Sequence, residues 1–180
     1  MQEPLDLILA GGCGTSMDGM SKGDLILGHA ILLTHAQARF EPQVAAIAVN
    51  TSRPITTKLP VVTDATLKNL SPLTGVLAGL DWAKNQGVTH IATVAVDIPF
   101  FPCSLVPHLL LAGKAQPRSF AIAATSDGLH GTLGIWPTVL HNDLATFLEQ
   151  DHHNVGTFAK AQGAVIATFP NTTPPSFFQD

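Results

Sequence analysis

The segment from Leu5 to Gly23 reads L-D-L-I-L-A-G-G-C-G-T-S-M-D-G-M-S-K-G. Leu5 to Ala10 is a short apolar run that stops at Gly11-Gly12, the pattern of a buried strand entering a loop. Five glycines between Leu9 and Gly23 let the backbone turn its N–H groups inward and admit a ligand without Cβ clashes. A phosphate cradle is the chemical expectation for such a loop. It is not a Walker loop, because Lys22 is followed by Gly23 and no glycine directly precedes it. Nor is it the dinucleotide fingerprint: Gly12 and Gly14 are present, but Met17 stands at the third glycine position.

Working outward, the spacing predicts a helix over Ala30 to Phe40, a second apolar strand at Val44 to Val49 and a short third at Pro60 to Val62. Ser71-Pro72 has the form of an N-cap followed by proline at the first helical position, and Leu73, Val76, Leu77 and Leu80 then repeat at helical spacing. Ile91 to Val96 is apolar on both faces, as in a strand covered by helices on each side, and it stops at Asp97-Ile98-Pro99. A helix over Ser104 to Ala112 follows, then strands at Phe120 to Ala124 and Thr132 to Trp136. Leu140, Leu144, Phe147 and Leu148 mark another helix, and Val165 to Phe169 a last strand. Strands alternating with helices predict a three-layer, Rossmann-like α/β sandwich with a mainly parallel sheet. With no internal repeat and no linker, residues 1–180 read as one domain, ending in an irregular tail from Pro170.

Of the 180 residues, 46% are hydrophobic and only 12% charged, with 9 Lys and Arg against 13 Asp and Glu. That balance excludes a disordered chain, and a net charge of -4 excludes the basic footprint of a nucleic-acid binder. Any bound phosphate must therefore be held locally, by backbone N–H groups, a single lysine or a metal. No apolar run approaches the roughly 20 residues that span a bilayer, and Met1-Gln2-Glu3-Pro4 lacks a basic signal-peptide start, so a cytoplasmic protein without membrane contact is expected. Cys13 and Cys103 have no metal-like spacing and read as reduced thiols. His152 and His153 are adjacent, cannot share a helix face, and read as a solvated helix end.

The loop from Leu9 to Lys22 resembles the signature of nucleotidyltransferases that condense a nucleoside triphosphate with a phosphorylated acceptor. Further segments extend the resemblance to the molybdenum cofactor guanylyltransferase family: Val49-Asn50, Asp64 ahead of S-P-L-T-G (Ser71 to Gly75), V-D-I-P-F-F-P (Val96 to Pro102), L-H-x-x-x-G-I-W-P (Leu129 to Pro137), and the tail P-S-F-F-Q-D. The resemblance implies a nucleotidyltransferase fold whose nucleotide lies across the carboxyl ends of the parallel strands. It implies that Leu9, Ala10, Gly11 and Gly12 contact the nucleotide, that Lys22 neutralises triphosphate charge, and that Asn50 and Asp64 contact the guanosine part. Asp97 would hold Mg²⁺, and His130 would lie on the acceptor side. The implied reaction transfers GMP from GTP to molybdopterin with release of pyrophosphate, and the implied partners are GTP, molybdopterin and proteins of the cofactor pathway. Two departures stand out. Ser16 replaces an arginine of the family loop, with Asp18 close by, and Gln179 and Ser176 alter the tail motif. A non-catalytic relative that binds nucleotide or a pathway partner, and a cytidylyltransferase of the same fold, are the alternative readings of the sequence.

Overall fold

The computed structural model describes residues 4–11, 21–64, 71–114 and 116–171. Its central sheet has seven strands: β1 (Leu5–Leu9), β4 (Ala46–Asn50), β5 (Val61–Val62), β6 (His90–Ala95), β7 (Ala121–Thr125), β8 (Gly128–Pro137) and β9 (Val165–Thr168). They lie in the order β5-β4-β1-β6-β8-β7-β9. The pairs β5/β4, β4/β1, β1/β6 and β7/β9 are parallel, whereas β8 is antiparallel to both β6 and β7. The mainly parallel three-layer α/β sandwich read from the strand and helix alternation is the architecture the chain adopts.

Residue alternation along β1 builds both cores. Ile8 and Ala10 join Leu33, Phe40, Val49, Val94, Leu105 and Leu109 beneath α1 (Leu32–Phe40) and α3 (Leu105–Gly113). Leu7 and Leu9 join Leu73, Val76, Leu80, Ile91, Trp136 and Phe158 beneath α2 (Pro72–Asn85), α4 (His141–Glu149) and α5 (Val155–Ala161). A strand buried on both faces has no polar side to alternate with, which explains its continuous apolar reading. Asp6 is the exception. Its side chain is fully buried, neither carboxyl oxygen has a hydrogen-bond partner among the described residues, and burial pushes its pKa well above the ordinary carboxylate range.

Several boundaries differ from those read in the sequence. Ala30–Ile31 form β3, which pairs antiparallel with β2 (Ile26–Leu27) in a small separate ribbon, so α1 starts only at Leu32. β8 begins at Gly128, four residues earlier than expected, because the stretch Gly128 to His130 still pairs with β7 across a register shift. Helix α5 was not expected at all. It has seven residues, too few for a periodic signal, and is started by Asn154, whose Oδ1 accepts from the Thr157 N–H at 2.8 Å. Among the described residues no helix is long and apolar enough to cross a membrane.

Candidate functional site

Sheet register gathers the expected residues at one edge. Leu9, the last residue of β1, lies opposite Asn50 on β4 and Ala95 on β6, so the chain leaves all three strands at the same level. The Ala10 N–H donates to the Asn50 carbonyl at 2.9 Å, and the Val96 N–H donates to the Leu9 carbonyl at 3.0 Å. Gly11, Asn50 and Asp97 therefore come from the carboxyl ends of adjacent parallel strands, where open α/β sheets form their ligand crevice.

On one side of that crevice, the Asn50 amide donates to Asp64 Oδ1 at 2.7 Å and to the Val62 carbonyl at 3.1 Å. Asn50 is 2% exposed, so its amide orientation is set by these two bonds. Burial raises the Asp64 carboxyl above its ordinary value, opposed by the hydrogen bond from Asn50 and by the neighbouring Thr74 side chain. Thr74 enters because α2 begins here. Its hydroxyl donates to the Ser71 carbonyl at 2.7 Å, while the Ser71 N–H donates back to it at 3.3 Å. Ser71 occupies the N-cap position, as the sequence suggested, and Thr74 Oγ1, three residues on, accepts the Ser71 N–H as the return arm of a capping box. Helix α2 approaches closely because Gly75 faces Asn50 and Leu9: a Cβ there would come within 2.9 Å of Leu9 Cδ2 and Asn50 Cγ. Thr74 and Gly75 belong to the S-P-L-T-G motif, but only the packing reveals what each one does.

Across the crevice, Lys22 opens a short 3-10 turn, Lys22–Asp24, and its Nζ lies 2.9 Å from Asp97 Oδ2. These two residues, 75 positions apart and in separate motifs, meet directly. The pair is partly open, with side-chain exposures of 40% and 20%, so its contribution to stability is small, ~1 kcal/mol or less. Both charges remain within reach of a ligand. A single accessible carboxylate suits a hard cation that completes its shell with phosphate oxygens and water. Among the described residues, no group of three His, Cys, Asp or Glu forms a self-sufficient metal site.

Because β8 runs against β6, its first half lies at this same edge. His130 Nε2 is 2.9 Å from Thr125 Oγ1, and burial lowers its pKa, partly offset by Asp127. His130 borders a cavity of about 450 Å³ that also takes in Pro72, at the start of α2, and Ile98, beside Asp97. His153 lines the same cavity. This corrects the solvated-helix-end reading for His153 alone: α4 stops at Glu149 and His153 lines the cavity from the turn that precedes α5, while His152 is exposed and packs on the Phe147 ring at 5.0 Å. With α5 unseen in the sequence, nothing there could have brought His153 to this place.

Gly12, Cys13, Met17, Ser16 and Asp18 of the glycine-rich loop lie outside the described residues, as does the tail motif Pro175 to Asp180.

The chain matches the MobA-like NTP transferase domain family over residues 7–165. It is 39% identical over 169 residues to a molybdenum cofactor guanylyltransferase of Cereibacter sphaeroides, spanning 92% of this chain and 85% of that protein. It is 34% identical to one of Mesorhizobium japonicum, spanning 91% and 81%. Among solved structures, it resembles molybdopterin-guanine dinucleotide biosynthesis protein A of Archaeoglobus fulgidus, with a TM-score of 0.73 at 16% identity over 98% of this chain and 91% of the other. It also resembles 2-C-methyl-D-erythritol 4-phosphate cytidylyltransferase of Thermus thermophilus, with a TM-score of 0.67 at 16% identity over 99% and 92%. At such identities the two structures speak for the fold alone.

Proposed function

The chain belongs to the MobA-like NTP transferase family, and from that premise we propose that it is a molybdenum cofactor guanylyltransferase, transferring GMP from GTP to molybdopterin with release of pyrophosphate. The observation that carries the proposal is the convergence of Lys22 with Asp97, and of Asn50 with Asp64, on one strand edge in a chain with these relatives.

In this mechanism, a terminal phosphate oxygen of molybdopterin attacks the α-phosphorus of GTP. A new P–O bond forms, the bond from the α-phosphorus to the bridging oxygen breaks, and pyrophosphate leaves with that electron pair. A phosphate monoester has its second pKa near 6, so the nucleophile is already largely dianionic at neutral pH and needs no protein base. Lys22 leaves Asp97 when the triphosphate enters and directs its ammonium to the phosphate oxygens, where negative charge spreads in the transition state. The backbone from Leu9 to Gly12 contacts the nucleotide, and Asn50 and Asp64 contact the guanosine part. Asp97 would hold the Mg²⁺, which when bound supplies charge neutralisation at the phosphate oxygens. His130 lies on the acceptor side. Catalysis on this reading consists of positioning and electrostatics, with no covalent enzyme intermediate.

The test is turnover. Purified protein is given Mg²⁺, molybdopterin, and either GTP or CTP, and pyrophosphate is followed. Release with GTP that is lost in Asp97→Ala is the expected outcome. Release with CTP alone would replace guanylyl by cytidylyl transfer, and tight GTP binding without any pyrophosphate would leave a non-catalytic nucleotide binder.

A further inference from the structure

We propose that Arg53, on the loop after β4, binds the triphosphate of GTP as a second cation beside Lys22. The inference rests on the function proposed above and deepens it by adding to the site a residue that lies outside every motif of the sequence.

Positive charge is scarce where the triphosphate must sit. Between Leu9 and Gly23 the only basic residue is Lys22, and Asp97 faces it at 2.9 Å, so the pair brings no net charge to the ligand. A guanidinium is suited to supply more, because its planar fork donates to two phosphate oxygens at once. The chain has three arginines, Arg39, Arg53 and Arg118. Arg118 donates to Asp143 Oδ2 at 2.9 Å and to Gln162 Oε1 at 2.6 Å, and Arg39 donates to the Phe101 carbonyl at 3.0 Å. Arg53 is exposed, and its guanidinium makes no hydrogen bond or ion pair among the described residues.

The fold puts this uncommitted group at the site. Arg53 follows Asn50, the last residue of β4, by three positions, so it leaves the sheet at the carboxyl edge beside the Asn50–Asp64 pair. Its backbone is held from both sides by Thr51, itself 2% exposed: Thr51 Oγ1 accepts the Arg53 N–H at 3.1 Å and donates to the Arg53 carbonyl at 3.0 Å. Pro54, next in sequence, restricts Arg53 to extended backbone. Two residues on, Ile55 packs on the turn that carries Lys22. A Cβ at Gly23 would come within 2.6 Å of Ile55 Cδ1, so the loop closes on that turn only because Gly23 has no side chain. The stretch from Asn50 to Ile55 thus runs from the guanosine side of the crevice to the Lys22 turn, and Arg53 stands on it with a fixed root and a free tip. A donor anchored in this way loses less freedom on meeting a ligand than one on a loose loop.

Calorimetric titration of the full chain with GTP and Mg²⁺ tests the proposal, with guanosine affinity measured by competition against GTP. Arg53→Ala should raise the Kd for GTP about tenfold, the value of a hydrogen bond to a charged group at an exposed site, and that for guanosine less than twofold. Arg53→Lys should recover part of the GTP affinity and Arg53→Gln none of it. Lys114→Ala removes an exposed charge at the end of α3 and should leave both constants unchanged. A GTP Kd within twofold of wild type in Arg53→Ala, an equal loss for guanosine, or an equal effect of Lys114→Ala would each overturn the inference while the proposed function stands. If the wild-type protein binds no GTP, the proposed function falls and takes the inference with it.

Discussion

Replacing Gly75 by alanine tests whether the nucleotide side of the site is built by helix packing. In an exposed helix interior this change would stabilise by about 1 kcal/mol, through helix propensity. Here the added methyl would run into the Asn50 side-chain oxygen and come within 2.9 Å of Leu9 Cδ2 and Asn50 Cγ, distances that force something to move. Overpacking of this kind costs about 1–3 kcal/mol, leaving a net loss of roughly 0–2 kcal/mol against the propensity gain. For a domain of this size that lowers Tm by up to about 8 °C. The displaced group is Asn50, whose amide bridges Asp64 Oδ1 at 2.7 Å and the Val62 carbonyl at 3.1 Å. Losing one such bond, worth about 1 kcal/mol, weakens GTP binding roughly fivefold. Calorimetric titration with GTP and Mg²⁺, together with thermal unfolding, reads both effects. In an Asn50→Ala background the same substitution should cost little further GTP affinity, because the clash would no longer act through Asn50. A Tm raised by a few degrees with unchanged GTP affinity would refute the packing argument.

Two other substitutions probe the core. Asp6 keeps its proton in the folded state to a higher pH than in the unfolded chain, because burial raises its pKa. Below about pH 4 both states hold the proton and Asp6 imposes no pH dependence. As pH rises above that value the unfolded chain ionises first, so folding stability falls until the folded-state pKa is passed. Asp6→Asn should therefore gain Tm relative to wild type as pH goes from 4 to 8, and parallel Tm profiles for the two proteins would contradict the assignment. Thr93 accepts from the buried Trp136 indole N–H at 2.9 Å and donates to the Thr132 carbonyl at 2.9 Å. Thr93→Val strands both groups at a cost of about 2 kcal/mol, which urea unfolding should show as a lower midpoint at unchanged m value; an unchanged midpoint would mean the bonds contribute nothing net.

Local pattern was enough to show the order of the strands along the chain, the start of α2 and the motif residues, because each depends on neighbours in sequence. Apolar runs ending at Gly11, Asn50 and Asp97 mark strand ends wherever the strands are later placed. Glycines and Lys22 between Leu9 and Gly23 indicate phosphate chemistry before any partner is known. What the chain could not show by itself was contact across the fold. The meeting of Lys22 with Asp97 depends on β1 and β6 being neighbours in register. Asn50 reaches Asp64 because β4 and β5 pair in register, and Thr74 Oγ1 meets the Ser71 N–H because of the geometry of the first turn of α2. Asp6 sits in a strand that otherwise reads as apolar, and only burial on both sheet faces raises its pKa. The cavity and its turn depend on α5, a helix too short to leave a period and held against β8 by the missing side chain at Gly131. Sequence alone thus determined which chemical groups are present and at which strand ends; tertiary packing decided which of them face one another, since hydrogen bonds and ion pairs act over a few ångströms in space, whatever the separation along the chain.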